Sequence, residues 1–438
     1  MRSQMKASLK LLPALLLLLL APAASYAVNV PIPIEGATLN VSLQLQTQFL
    51  ANEGGTPDGT NPSYDIFVRR SRVLINGDIN QHFSYLVQVD NPNFGKFGNF
   101  NGRAIVQDAW VGWAPTGIKG GTVVYIDAGI LLMPISHHLL ESTTNFITAD
   151  AQIDAFRFPG NAFPAFRDTG VQVRGWALDK KIGFRGGVYE GYAPAVQAAG
   201  ACASGGAGCI TPKRNPALGG FVNVDILGSE EGGWLYGAYK WEKDPILSVG
   251  VAANYQSLAL KNAFGSLTDQ KLLASDLYLD LPVTEQAELV SEITLYLNGN
   301  GTGSANTGTG VSASLGYRFG FIAPYVAYDY FQSTSCDAGS LSPGQLTTCN
   351  ATVDTADSRN FKAGVNFFFN KNLSHVNVEF SDNHGQSAYG PSSMTAATAG
   401  YVPTSLDALT ATGPRRAFTN SLANPAFKSL LVHWNVLF

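Results

Sequence analysis

Among the residues able to support catalysis or metal binding, His137, His138 and Glu141 stand closest together in the chain. His137 and Glu141 lie four positions apart, which would stack them on one face of a helical turn. That pair alone falls short of a metal site, since there is no HExxH pattern and no third ligand nearby. The other histidines, His82, His375, His384 and His433, are scattered. No GxSxG element, Walker loop or GxGxxG between a strand and a helix is present. With no nucleophile, base and orienting group brought together, the sequence predicts neither an enzyme nor a bound metal or cofactor.

What the chain offers instead is charge at alternating positions. Arg70, Arg72, Asn76 and Asp78 share one parity, as do Asp108 with Trp110 and Gln172 with Arg174. Arg185, Asp276, Asp280, Glu288, Glu292, Arg318, Asp329, Lys362 and Glu379 continue the series on later segments. Alternation of this kind is the signature of strands with two different faces. On a closed barrel the polar face belongs to the lumen. Opposed acidic and basic walls would set up a transverse field across a constriction and act on permeating ions. The alternative is that these charges pair with one another and brace the wall.

The elements that must carry them are legible as sixteen strands, from Thr38–Phe49 to Ala426–Phe438. In the first, TLNVSLQLQTQF, leucines and valine alternate with asparagine, serine and glutamines. Most of the segments run 10–14 residues, against the roughly 9–11 that a tilted strand needs to cross a bilayer. Connections alternate between tight turns, such as Asn370–Asn372, and long loops. That is the arrangement of a transmembrane barrel with short turns on one rim. The connection Ser229–Asp244 is an exception, longer than the other short-rim turns. The chain ends in LLVHWNVLF, a strand able to pair with the first and abolish the edge. Trp113, Tyr125, Trp176, Trp234, Trp241, Tyr255, Tyr328 and Tyr330 are candidates for the interfacial aromatic girdles. The expected fold is therefore all-β, a 16-stranded antiparallel transmembrane β-barrel.

One long insertion interrupts the pattern. After the strand Thr122–Met133, Pro134–Phe166 has no strand period but carries Glu141, Asp150, Asp154 and Arg157 along with several phenylalanines. A connection of this length in a compact fold is functional or disordered, and its aromatic content argues against disorder. Folded inward, it would narrow the channel as a constriction loop. Its candidate residues Glu141, Asp150, Asp154 and Arg157 would then face Arg70, Arg72, Asp108, Arg174, Arg185 and Arg318 on the wall. Phe146, Phe156, Phe158 and Phe163 could form a stacking track for sugars or aromatic acids, which would make the channel substrate-specific. A third reading is a barrel that sheathes a periplasmic electron-transfer partner.

Composition sets the compartment. Residues 1–27 combine Arg2, Lys6 and Lys10 with an apolar run and the small-residue stretch ending in Ser25-Tyr26-Ala27, which together read as a secretory signal peptide. Loss of those three basic residues leaves 25 basic against 32 acidic side chains, a net charge of −7, unsuited to nucleic-acid binding. No linker divides the remainder, so 28–438 is expected to be one domain. The cysteines fall in two close pairs, Cys202 with Cys209 and Cys336 with Cys349, which in an exported chain suggests local disulfides.

Several short pieces together resemble the phosphate-selective porin O/P family of bacterial outer-membrane proteins. They are Val68-Arg69-Arg70-Ser71-Arg72, Gln107-Asp108-Ala109-Trp110-Val111, Met133-Pro134, Arg167-Asp168-Thr169-Gly170-Val171-Gln172, Gly187-Val188-Tyr189-Glu190-Gly191, Ala363-Gly364-Val365-Asn366 and the terminal Phe438. The resemblance implies a trimeric outer-membrane barrel that passes small hydrophilic solutes or ions, with its third long loop folded into the lumen. In that family the solute path is basic, whereas the inserted segment here sets Arg157 against Glu141, Asp150 and Asp154.

Overall fold

A computed structural model describes residues 28–53, 61–100, 102, 104–156, 166–191, 215–230, 234–242, 244–262, 264, 266–304, 307–334, 336, 341–353, 357–385 and 427–438. Sixteen antiparallel strands form the wall. The first half comprises β1 (Asn40–Asn52), β2 (Ser63–Asn80), β3 (Phe83–Asp90), β4 (Ile105–Trp113), β5 (Val123–Leu132), β6 (Arg167–Ala177), β7 (Ile182–Tyr189) and β8 (Ala217–Leu227). The second half comprises β9 (Ile246–Lys261), β10 (Leu267–Thr284), β11 (Ala287–Asn298), β12 (Gly308–Phe319), β13 (Ile322–Ser333), β14 (Ser358–Asn370), β15 (Ser374–Gly385) and β16 (Phe427–Leu437). Each strand pairs with its sequence neighbours, and β16 closes the ring on β1 with Val436 opposite Leu45. Phe438 completes the seam by exchanging backbone hydrogen bonds with Leu43. A two-residue strand, Val28–Asn29, pairs with Asn40 and Val41, continuing the seam past the end of β16. Closure leaves the sheet without a free edge, which a strand in lipid requires.

The polarity of this wall is inverted relative to a water-soluble protein. On β10, Leu273, Leu277 and Leu281 are exposed, while Gln270 before them and Asp276 and Asp280 between them are buried. Around the ring, Leu43, Val73, Val111, Val171, Val222, Val251, Ile293, Leu315 and Val326 face outward. Apolar residues outside and polar ones inside suit a barrel surrounded by lipid.

Strand periodicity locates the wall but misjudges some ends. The two-residue period places strands at Pro245–Leu258 and Gln270–Leu281 with a long loop between them; the strands extend to Lys261 and back to Leu267, which leaves only 262–266 between them. The last pairs, Leu260 with Thr268 and Lys261 with Leu267, follow a bulge after Gln256 that hides them from a strict two-residue count.

In a long-loop connection, a short helix (Pro343–Val353) is tied by the Cys336–Cys349 disulfide. Cys202 and Cys209, like the expected signal peptide 1–27, lie outside the described residues. The disulfide joins residues 13 apart in a loop that contributes nothing to the wall. Reduction is expected to leave the barrel's unfolding midpoint unchanged while opening the 341–353 stretch to protease, which limited proteolysis with and without reductant would reveal.

Candidate functional site

The lumen contains two inserted segments. The first leaves β5 and turns inward, held at its neck by the Met133 amide donating to the Phe166 carbonyl. From Met133 to Phe156 nearly every described residue is buried. Leu139, Leu140, Ile153 and Phe156 join Leu131, Leu132, Trp110, Tyr189, Phe221, Leu272 and Tyr296 in one apolar cluster inside the barrel. Burial of this surface drives the insertion. Polar side chains on the wall then take up the backbone groups that an irregular segment leaves unpaired. Asn254 donates to the Pro134 carbonyl (2.9 Å), Asn366 to Ile147 (2.8 Å) and Gln46 to Thr143 (2.9 Å). Asn360 donates to the Asp154 carboxylate at 2.7 Å.

The second segment was not foreseen. The connection between β8 and β9, described at residues 228–230, 234–242 and 244–245, enters the lumen instead of turning on the rim. It runs beside the first, with the Tyr236 amide donating to Leu140, the Ser142 amide to Tyr236 and the Ala238 amide to Asn145. Trp234 packs on Trp110 with ring centres 4.7 Å apart, and the Arg318 guanidinium lies 3.9 Å over Trp241. Trp234 and Trp241 are therefore interior residues and not part of a lipid-facing girdle. Tyr125 is interior too, covered by Arg174 at 4.1 Å, as its parity with Asp127 requires. The aromatic density of the connection, with Trp234, Tyr236, Tyr239 and Trp241, was the available signal. A solvent-exposed turn has no use for four such rings.

Most of the charged wall positions singled out by parity are buried, and several of them pair. Arg72 meets Asp90 at 2.9 Å, Arg174 meets Asp127 at 2.6 Å and Arg318 meets Glu288 at 2.6 Å. Asp108 accepts from Arg167 at 3.1 Å, and Arg185 donates to the Trp234 carbonyl at 2.7 Å. Lys362 and Asp329 form a further buried pair at 3.1 Å. These pairs link neighbouring strands to one another. Arg157, with Phe158 and Phe163 of the expected stacking track, lies outside the described residues. Phe146 instead packs on His138, and Phe156 on Phe166 and Tyr296.

Parity missed one residue at the heart of this arrangement. Between Gln46 and Thr47 the β1–β2 register slips, so that Gln46 faces Arg70 while Thr47 faces Val68. Arg69 is the extra residue of a bulge, and it turns inward beside Arg70. Both arginines then hold Asp150 of the inserted segment, Arg69 through Nε and Arg70 through Nη2, each at 2.7 Å. Burial alone would raise the Asp150 pKa, but the two guanidinium groups outweigh it and hold it well below the usual carboxylate range.

A second charged cluster sits where the two segments meet. His137 Nε2 lies 2.8 and 2.9 Å from the two carboxylate oxygens of Glu230, which Lys240 approaches at 2.9 Å. On its other side His137 Nδ1 faces Glu292 of β11 at 3.4 Å and Glu141 at 3.7 Å. Burial, with the Glu292 charge next, pushes the Glu141 pKa well above the ordinary value. Burial works against a charge on His137, yet Glu230 and Glu292 outweigh it and raise its pKa. Burial likewise opposes the charge on Glu230, and His137 and Lys240 more than offset it and lower its pKa. The space left beside these segments includes a cavity of about 90 Å³ bordered by Gln44, Arg72, Gln107, Glu141, Thr143 and Arg167.

No family model matches the chain, and no curated protein matches it by sequence. Among solved structures it is similar to the outer-membrane channel DcaP of Acinetobacter baumannii, at 11% identity over 94% of this chain and 100% of that one, with a TM-score of 0.50. It is also similar to OmpF of Salmonella typhi, solved in complex with daunomycin, at 12% identity over the same shares and a TM-score of 0.53. The shared feature is the fold, a closed sixteen-stranded antiparallel barrel of the outer-membrane porin type.

Proposed function

We propose that the chain is an outer-membrane diffusion channel for small hydrophilic solutes or ions, working as a conduit without catalysis. In this reading it is exported with loss of residues 1–27 and assembles as the homotrimer that the porin resemblance implies. The single observation that carries the proposal is the inverted polarity, an apolar exterior around a lumen built of charged and amide side chains. Sixteen strands enclose more space than wall side chains alone can fill. In this reading the surplus is taken up by 134–156 and the described residues of 229–244, which form the constriction.

The sign of the charge inside favours cations. Among the described residues, fifteen aspartates and glutamates are buried but only nine lysines and arginines, and charge lining a path sets which ions enter. Phosphate selectivity of the O/P type, which rests on a basic path, is correspondingly disfavoured. In a planar bilayer under a potassium chloride gradient, the reversal potential is expected to have the sign of a cation-preferring channel. Neutralising Glu141, Asp150 and Asp154 together should move it toward zero. An anion-selective potential in the native protein would reject this reading of the lumen charge.

A further inference from the structure

We propose that His137, Glu141 and Glu292 bind one divalent transition-metal cation of the zinc class, which fastens the inserted segment to the barrel wall. His137 Nδ1, both carboxylate oxygens of Glu141 and Oε1 of Glu292 are buried without a hydrogen bond. All three residues are at least nine-tenths buried, with exposures of 2%, 4% and 5%. Burying polar atoms unpaired is costly. Several electron-rich atoms turned toward one another call for a positive charge between them.

The spacing fits a metal ion. One ligand atom from each residue can be chosen so that all lie within 4.8 Å of one another. His137 Nδ1 is 3.4 Å from Glu292 Oε1 and 3.7 Å from Glu141 Oε1. Zinc bonds to nitrogen and oxygen of about 2.0–2.2 Å, at tetrahedral angles, place ligand atoms roughly 3.3–3.6 Å apart. A cation therefore needs only small shifts of these side chains. The fourth position would remain for water.

The surroundings orient the ligands. Glu230 takes the hydrogen on Nε2 of His137, so that an incoming metal, by displacing the other ring proton, meets an Nδ1 lone pair aimed at the two carboxylates. Carboxylate support of a ligating histidine in this way fixes its tautomer. His138 does the same for the opposite oxygens. Its Nε2 accepts from the Gln152 amide at 2.9 Å, so its Nδ1 carries hydrogen and lies 3.2 Å from Glu292 Oε2 and 3.4 Å from Glu141 Oε2.

Charge is consistent with this. In the deprotonated state that metal ligation requires, Glu141, Glu230 and Glu292 bring three negative charges and Lys240 one positive, a balance of −2 that a divalent cation removes. Asp276, which accepts from the His137 amide, adds further negative potential. One imidazole with two carboxylates suits zinc, cobalt or manganese better than calcium or magnesium, which take oxygen alone. A proton in the same gap is the competing occupant, and titration with metal distinguishes the two.

The full barrel, purified in detergent and stripped with chelator, would be titrated with Co²⁺ by visible absorption and with Zn²⁺ by calorimetry. One equivalent is expected to bind, with the intense visible band of four-coordinate cobalt, displaced by zinc. Glu141→Gln and Glu292→Gln should each weaken binding by about 100-fold or more, and Glu230→Gln by about 10–100-fold. Glu379→Gln, a buried carboxylate elsewhere on the wall, should leave it unchanged. Heat-dependent gel mobility would establish that each variant is folded. Where one is not, the stoichiometry of the native barrel and the Glu230→Gln effect decide. Absence of stoichiometric binding to the native barrel overturns the proposal, as does binding that the folded glutamine variants leave intact.

Discussion

An Asp150→Ala barrel is expected to be about 3–5 kcal/mol less stable than the native one, because two buried arginines lose their shared counter-ion. Arg69 and Arg70 are both 3% exposed, so neither reaches solvent once the carboxylate is gone. Arg70 keeps its bond to Gln46 and Arg69 its bond to Asn93, which replace hydrogen bonds but not charge. Asp150→Asn should fall between the two, since the amide oxygen still accepts one bond. The inserted segment would also come loose on the β1–β2 side, so the channel current should become noisier. Denaturant unfolding in detergent, followed by tryptophan fluorescence, measures the first effect and bilayer recording the second. A native-like midpoint in Asp150→Ala would mean that the clamp contributes little.

The same clamp has a defined pH dependence. The folded-state pKa of Asp150 is depressed, so its contribution is fully present above the unfolded value of about 3.9. It is lost only as the pH falls through the lower, folded value. Acidification from pH 8 to pH 5 should therefore not release the segment at this point.

How much of this was readable in the sequence divides along a physical line. The wall was legible because a two-residue period and a polar lumen are local properties. Gln44, Gln46 and Gln48 on β1 point inward wherever the neighbouring strands fall. Closure was legible from the apolar terminal strand. What stayed hidden depends on encounters between distant segments. Glu292 lies 154 residues from its partner His138 and Glu230 lies 93 from His137, and no spacing rule reaches that far. Arg69 escaped because a bulge adds one residue and reverses the parity, which only the pairing with β1 discloses. The Ser229–Asp244 connection was misplaced because alternating loop lengths assign it to a rim. Its tryptophans fit an interfacial girdle as readily as a filled lumen until Trp110 is seen beneath Trp234.

Replacing 229–244 with a two-residue turn, like the one at 285–286 between β10 and β11, should have the largest effect on conduction. The segment holds its position through backbone bonds to Leu140, Ser142 and Asn145 on the first insertion. On the wall it is held by Tyr278 donating to Ala238 at 2.6 Å and by Trp241 donating to Asn372 at 3.2 Å. None of these contacts belongs to the β8–β9 ladder, which pairs from Ala217 with Gln256 to Leu227 with Leu247 without it. The wall should therefore close normally. Removal withdraws Trp234, Tyr236, Tyr239 and Trp241 from the lumen, uncovers Arg185 and Arg318, and takes Trp234 from Arg174, which keeps Tyr125 and Trp110. A wider and more polar path follows, and single-channel conductance should rise several-fold. The cation preference should weaken as well, because Glu230 leaves with the segment while Arg185 and Arg318 become accessible. If the folded deletion variant conducts like the native barrel, the segment does not form the constriction, and the narrowing must be assigned to 134–156 alone.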